Sequence, residues 1–312
     1  MADKPSRGLV LYGDGLARFV NESHTHLHAL ASQGCCGFLS LPNSPPSESA
    51  DARIVREFAQ LLDASEAYDN TGGKDIIGID SEKFSMSSIS QRFMGMRSAI
   101  ITNNSSLKSF GGKLGFTMLQ LSEIIDNNHP SGELSLDTMA SELLKLLGFQ
   151  EGKTSEKNPY DLVFFHIGDG GSNGQKDTEY INGLVGQIMH IAEPGSEIGS
   201  RLHLSLVMSY GPVSGNDDQN FSVICRDEIN SHLLSLFPRQ SYTAKGSNLR
   251  NNVRLCCPML VAQWQNAVTR KDMAEAFSFK DFKERGGILT IPADRFIHEI
   301  AFKLWKAPKY GA

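Results

Sequence analysis

The chain has 312 residues, 40% of them hydrophobic and 21% charged, which supplies a large core and excludes a disordered protein. A formal charge of -5 and an isoelectric point near 6.0 give no electrostatic reason for nucleic acid or an anionic membrane as a partner, and no apolar run has the length of a membrane span. Five cysteines, with adjacent pairs at Cys35-Cys36 and Cys256-Cys257, suggest neither an even disulfide framework nor a zinc site.

The amino terminus, "MADKPSRG", lacks the apolar stretch of a secretory signal, so a reducing, cytoplasmic location is expected. "GLVLY" (8–12) reads as the first strand, and Ser23 is placed to cap a helix through "HTHLHALASQ" that stops at Gly34. A second helix starts near Ser49, because Ile54, Val55, Phe58, Leu61 and Leu62 recur on one face of a 3.6-residue repeat. "SAIIT" (98–102) reads as a strand, "SSLKSFGGKLG" as a short helix ending in glycines, and "FTMLQL" (116–121) as another strand.

Ser135 caps "LDTMASELLKLL", which Gly148 ends. The run "DLVFFHI" (161–167) has the continuous apolar character of a buried strand and empties into "GDGGSNGQKD", the kind of loop where open α/β sheets keep their ligands. Further strands are expected at "LHLSLVMS" (202–209), "FSVIC" (221–225) and "RLCCPMLVA" (254–262). A last helix over about 294–305 carries Phe296, Ile297, Ile300, Ala301 and Leu304 as its apolar stripe. This alternation predicts an α/β fold with a mostly parallel sheet and helices on both faces, three layers in all. One domain spanning 1–312 is expected.

Four segments, in order, resemble the cofactor-independent phosphoglycerate mutases, specifically the archaeal-type branch, within the alkaline phosphatase superfamily. They are "LVLYGDGLARF", "THLHALASQGCCGFLSLPNSPPSESA", "RFMGMRSAIITNNSSLKSFGGKLGF" and "PMLVAQWQNAVTRKDMAEAFSFKDFKERGGILTIPADRFIHEI". The resemblance implies an alkaline-phosphatase-like sheet. It also implies phosphoryl transfer by a Ser or Thr nucleophile, with two metal ions held by Asp and His polarising the phosphoryl oxygens. The family's cap insertion is expected to be absent, since too little chain lies between about 50 and 84.

The resemblance places the nucleophile at Ser47, with Ser49 the alternative, a substrate lysine at Lys108 and the first metal-ligand aspartate at Asp14. Each has a plainer reading: Ser49 as a helix cap, Ser47 as a loop hydroxyl, Lys108 as a helix-surface lysine, and Asp14 as a turn residue in an Asp-Gly pair. The family's Asp and His after the strand "DLVFFHI" fall here on Gly171 and Gln175. Asp169 and Asp177 are the nearby carboxylates that a shifted loop would bring in as metal ligands. The next Asp-His pair falls around Tyr210 to Pro212, and the last metal histidine falls in "GSNLRNNVRL", which offers Arg250 and Arg254. His24, His26 and His28 lie two residues apart on a helix and so diverge; they read as surface or partly packed side chains. His166 reads as a core imidazole.

The expectation is a phosphoglycerate-mutase-like protein that has lost most of its metal ligands. It would be a pseudoenzyme needing no cofactor, acting as a binding or scaffold protein for a phosphorylated small molecule or another protein. The alternative is an active metal-dependent phosphoglycerate mutase, an isomerase, or a phosphatase. It would use Ser47 with Mn or Mg held by carboxylates, Zn being disfavoured by the lack of histidine.

Overall fold

The computed structural model describes residues 7–42, 48–70, 86–124, 135–150, 152–155, 159–168, 173–212, 221–223, 244–245, 248–250, 253–254, 256–285, 287 and 289–308. Its strands in chain order are β1 (Arg7–Gly13), β2 (Cys35–Ser40), β3 (Ser98–Ile101), β4 (Thr117–Leu119), β5 (Phe149–Gln150), β6 (Lys153–Thr154), β7 (Leu162–Ile167), β8 (Leu202–Ser209), β9 (Ala244–Lys245), β10 (Asn248–Leu249), β11 (Met259–Trp264) and β12 (Leu289–Pro292). Eight of them form one sheet in the order β12-β2-β11-β8-β1-β7-β3-β4, and β5-β6 and β9-β10 are separate two-stranded ribbons.

Only β11 runs against its neighbours in the large sheet; every other pairing there is parallel. The central strands are buried along nearly their whole length, as β7 and β8 show, because helices cover both faces. Successive side chains in a strand point to opposite faces, so each strand feeds two cores. Leu9, Leu11, Phe165 and Leu206 meet the helices Thr25–Gln33, Leu136–Leu146 and Gly174–Ile191 on one side. Val10, Phe164 and Val207 meet Ala50–Leu61, Ser105–Lys113 and Phe296–Lys303 on the other. The result is the expected three-layer α/β architecture.

The helix starts follow local chemistry. Ser49 accepts from the Ala52 amide at 3.1 Å, and Ser135 accepts from Thr138 at 3.2 Å, so both are N-caps. Ser23 is not a cap. Its hydroxyl donates to Asn21 Oδ1 at 2.6 Å, and the helix begins one residue later, at Thr25, with His24 in the cap position. His24 is buried rather than at the surface, because the turn at Asn21 folds its ring inward, where Nδ1 accepts from the Asn21 amide at 3.0 Å.

Other boundaries move too. Residues 254 and 256–258 precede β11 without joining it, and only 259–264 pair. Of "FSVIC", residues 221–223 are not strand, and 224–225 lie outside the described residues. "FTMLQL" keeps three strand residues before Leu121 opens a short helix. The last helix runs Phe296–Lys303, and Trp305 adopts a left-handed conformation beyond its end. β2, β12 and the 18-residue helix Gly174–Ile191 are elements that the periodicity of the chain did not announce.

Candidate functional site

Strands β1, β7, β3 and β8 end at the same edge of the sheet, the side on which open α/β sheets bind ligands. Asp14 follows β1 there. Its amide donates to the Ile167 carbonyl at 2.9 Å, and the next amide, Gly15, donates to Ser209 Oγ at 2.9 Å, so the Asp-Gly turn is pinned by the ends of β7 and β8. Gly168 makes this possible. Its φ is +119°, and a Cβ there would stand 2.8 Å from the Asp14 carbonyl oxygen.

The Asp14 carboxylate is buried and faces Arg53 from the first turn of Ala50–Leu61. Arg53 donates to Oδ1 from Nη1 at 2.6 Å and to Oδ2 from Nη2 at 3.0 Å, and Nη1 also reaches Glu57 Oε1 at 3.2 Å. Tyr12 donates its phenol to Glu57 Oε2 at 2.7 Å, and Ser209 Oγ lies 3.4 Å from Asp14 Oδ1. All of these groups are less than 10% exposed. Burial works against the Arg53 charge, but the hydrogen bonds it donates to Asp14 and the charge of Glu57 outweigh it and raise the guanidinium pKa. Burial raises Glu57, with Arg53 opposing and Asp14 adding to the shift. It also raises Tyr12 well above its ordinary value, so the phenol stays a donor.

A bidentate guanidinium is the strongest partner a carboxylate has among side chains, and here it covers both oxygens of Asp14. The residues present therefore do not suit a divalent ion. Among the described residues, no three His, Cys, Asp or Glu side chains are grouped to hold one. Gln175 donates to Glu179 at 3.2 Å along its helix, the Tyr210 carbonyl accepts from Arg18, and Arg250 is paired with Asp294. Asp177 lies in the first turn of Gly174–Ile191, and Lys108 is half-buried on Ser105–Lys113. Ser49 is occupied as a cap. Ser47, Asp169 and Gly171 lie outside the described residues.

Next to this cluster, His166 stacks on Tyr12 with ring centroids 5.7 Å apart. Burial lowers its pKa to about 4, with Asp14 opposing, so it is neutral at physiological pH. Thr102 Oγ1 accepts from the Asn104 amide at 3.0 Å and lies 2.9 Å from His166 Nδ1. The Thr102 oxygen has a second lone pair, so it can donate to Nδ1 or accept from it, according to the ring tautomer.

No protein-family model matches the chain, and no curated protein matches it in sequence. Solved structures do. The PH0037 protein from Pyrococcus horikoshii overlaps with a TM-score of 0.52 at 12% identity, over 99% of both chains. The cofactor-independent phosphoglycerate mutase from Thermoplasma acidophilum gives 0.47 at 11% identity, over 96% of this chain and 99% of its own. A protein in the alkaline phosphatase superfamily from Vibrio parahaemolyticus gives 0.46 at 10%, over 85% of this chain and 61% of its own.

At such identities the likeness concerns the fold alone. Arg53, Glu57, Tyr12, Ser209 and Thr102 were not singled out in the sequence. The available signal was a charged i,i+4 pair, Arg53 and Glu57, set within an apolar helical repeat directly after the candidate nucleophile loop.

Proposed function

We propose that this chain is a non-catalytic member of the phosphoryl-transfer fold whose role is to bind, as a carrier of a small molecule or as a scaffold for another protein. The observation that carries the reading is the bidentate pair of Arg53 with Asp14. A divalent ion needs carboxylate oxygens with free lone pairs, and here a tethered organic cation takes both. The guanidinium neutralises Asp14 but has neither the charge density nor the open coordination position that activates a hydroxyl nucleophile.

The deciding experiment is titration of the purified protein with MnCl2 and ZnCl2 by calorimetry, alongside turnover of a phosphoglycerate and an aryl phosphate. No stoichiometric metal binding and no turnover above background are expected. Metal that survives dialysis, or turnover that disappears in Ser47→Ala, would replace this reading with an active metal-dependent mutase or phosphatase.

A further inference from the structure

The edge of the sheet opposite Asp14 is where every strand except β11 begins. Five large apolar side chains are exposed among the described residues, Met94, Val268, Met273, Phe302 and Trp305, and all five lie at that edge. Met94 stands in the turn that leads into β3. β11 runs against its neighbours, so its last residue, Trp264, pairs with Leu204 near the start of β8. Val268 and Met273 follow in a loop whose Asp272 amide donates to the Gly34 carbonyl, just before β2, at 3.0 Å. Phe302 and Trp305 sit at the end of the last helix, where Lys303 donates to Gln263 of β11 at 2.7 Å and Lys306 pairs with Asp161, just before β7, at 3.2 Å. Single exposed apolar side chains are ordinary on a surface, but five gathered at one edge mark an interaction surface.

We propose that this edge docks on an anionic lipid surface. The charges around the apolar residues complement such a surface. Arg97, Arg201, Arg270, Lys271 and Lys306 flank them, while the carboxylates of Asp161 and Asp272 are buried and bonded to Arg97, Lys306 and Arg270. Glu299 and Lys303, one turn apart on the last helix, offset each other. Glu193 and Glu197 lie on the other face of the sheet, where Glu197 accepts from the Thr154 amide of β6 at 3.3 Å. The net charge of -5 conceals this local excess of cations. At physiological salt, exposed charges act over about 8 Å, so a headgroup layer meets the local cations and not the charge of the whole chain. The same excess opposes pairing of this edge with a second copy of itself. Shape selects lipid over an acidic protein. Met94, Val268, Met273 and Trp305 are 61% to 79% exposed and come from three separate segments, so they are projecting tips and not the lining of a groove. A headgroup layer takes up projecting indole, thioether and aliphatic groups one by one, whereas a protein partner buries them only in matching pockets.

This goes beyond the reading of the protein as a binder, and the two fail separately, because metal titration reports on Arg53 and Asp14 at the opposite edge. The test is sedimentation of the full chain with vesicles of phosphatidylcholine alone and of phosphatidylcholine with about one third phosphatidylserine, together with tryptophan emission. The chain holds two tryptophans and Trp264 is buried, so a blue shift reports Trp305 entering the headgroup layer. Binding to the anionic vesicles, with that shift and with loss in high salt, is expected. The partition coefficient should fall about fivefold in Lys271→Gln, the worth of one basic side chain at such a surface. A similar fall is expected in Trp305→Gly, both positions being exposed. Equal binding to the neutral vesicles, no binding to either, or unchanged partition in both variants would overturn the proposal. Capture of the chain by polyglutamate with the vesicles left empty would also overturn it, in favour of an acidic protein partner.

Discussion

Arg53 and Asp14 form a bidentate ion pair closed off from solvent, at 2.6 and 3.0 Å, with side-chain exposures of 5% and 0%. The pair joins the first turn of one helix to the end of the central strand, and Glu57 and Tyr12 complete it. A buried ion pair adds little net stability over a well-packed apolar substitute, but removing one partner leaves an uncompensated charge.

Arg53→Met is therefore expected to cost about 3 to 5 kcal/mol, as read by urea denaturation. The triple variant Asp14→Asn, Arg53→Met, Glu57→Gln should recover most of that loss, since no charge is then stranded. A triple variant less stable than Arg53→Met alone would show that the charges are not the source of the penalty.

Arg53→Ala is also expected to create a divalent-ion response that the parent lacks. Two buried carboxylates, Asp14 and Glu57, would face a space the size of the lost guanidinium, and MnCl2 should raise the melting temperature of the variant but not of the wild type. Equal response in both proteins would place metal binding elsewhere.

Acid should destabilise the fold in two stages. His166 has a folded-state pKa lowered by burial to about 4. As pH falls below the ordinary histidine value, the unfolded chain takes up a proton that the folded chain refuses. Stability is therefore complete above about pH 6.5 and declines by on the order of 3 kcal/mol by pH 4. His203, lowered well below its ordinary value by burial, acts in the same direction. Asp63 forms the second stage: burial pushes its pKa up, but hydrogen bonds from His298 and Lys245 pull it down to about 2. Its contribution is present above the ordinary carboxylate range and is lost as pH falls towards 2. Denaturation midpoints measured between pH 7 and 3 should show the first decline flattened in His166→Phe, and an unchanged slope would rule out His166 as its origin.

Trp305 is 61% exposed and sits at φ +61° just past the last helix. The Lys306 amide donates to the Ala301 carbonyl at 2.7 Å and the Trp305 amide to Phe302 at 3.0 Å, the two bonds of a Schellman cap in which glycine is the usual residue. Trp305→Gly should raise stability by about 1 kcal/mol through relief of left-handed strain. A lower melting temperature would mean that the exposed indole packs more than its accessibility suggests.

Gly37 in β2 lies against β12 so closely that a Cβ would stand 1.8 Å from the Leu289 carbonyl oxygen. Gly37→Ala is expected to cost about 3 kcal/mol, because the edge strand must move away from its partner. Hydrogen exchange should rise across residues 289–291 first. Protection retained there would argue that the edge absorbs the methyl group.

Much of the fold was legible in the residues themselves. The apolar runs at 8–12, 161–167 and 202–209 declared the central strands because a strand buried on both faces has no polar side to hide. Ser49 and Ser135 marked helix starts because capping is local chemistry. β2 escaped notice because "CCGFLS" is short and carries a glycine, and its strand character comes only from pairing with β11 and β12. The helix Gly174–Ile191 was hidden behind the glycine-rich loop that precedes it.

The sequence by itself established an α/β chain with carboxylates and polar loops at the ends of its strands, and it put Asp14 at the first of them. The tertiary structure decided that Arg53, nearly forty residues later, is the cation Asp14 meets, and that the exposed apolar side chains gather at the opposite edge of the sheet. Residue types and spacing fix what a segment can form locally. Which charge reaches which carboxylate depends on how a helix lies across a sheet, and that geometry arises only when the two cores close together.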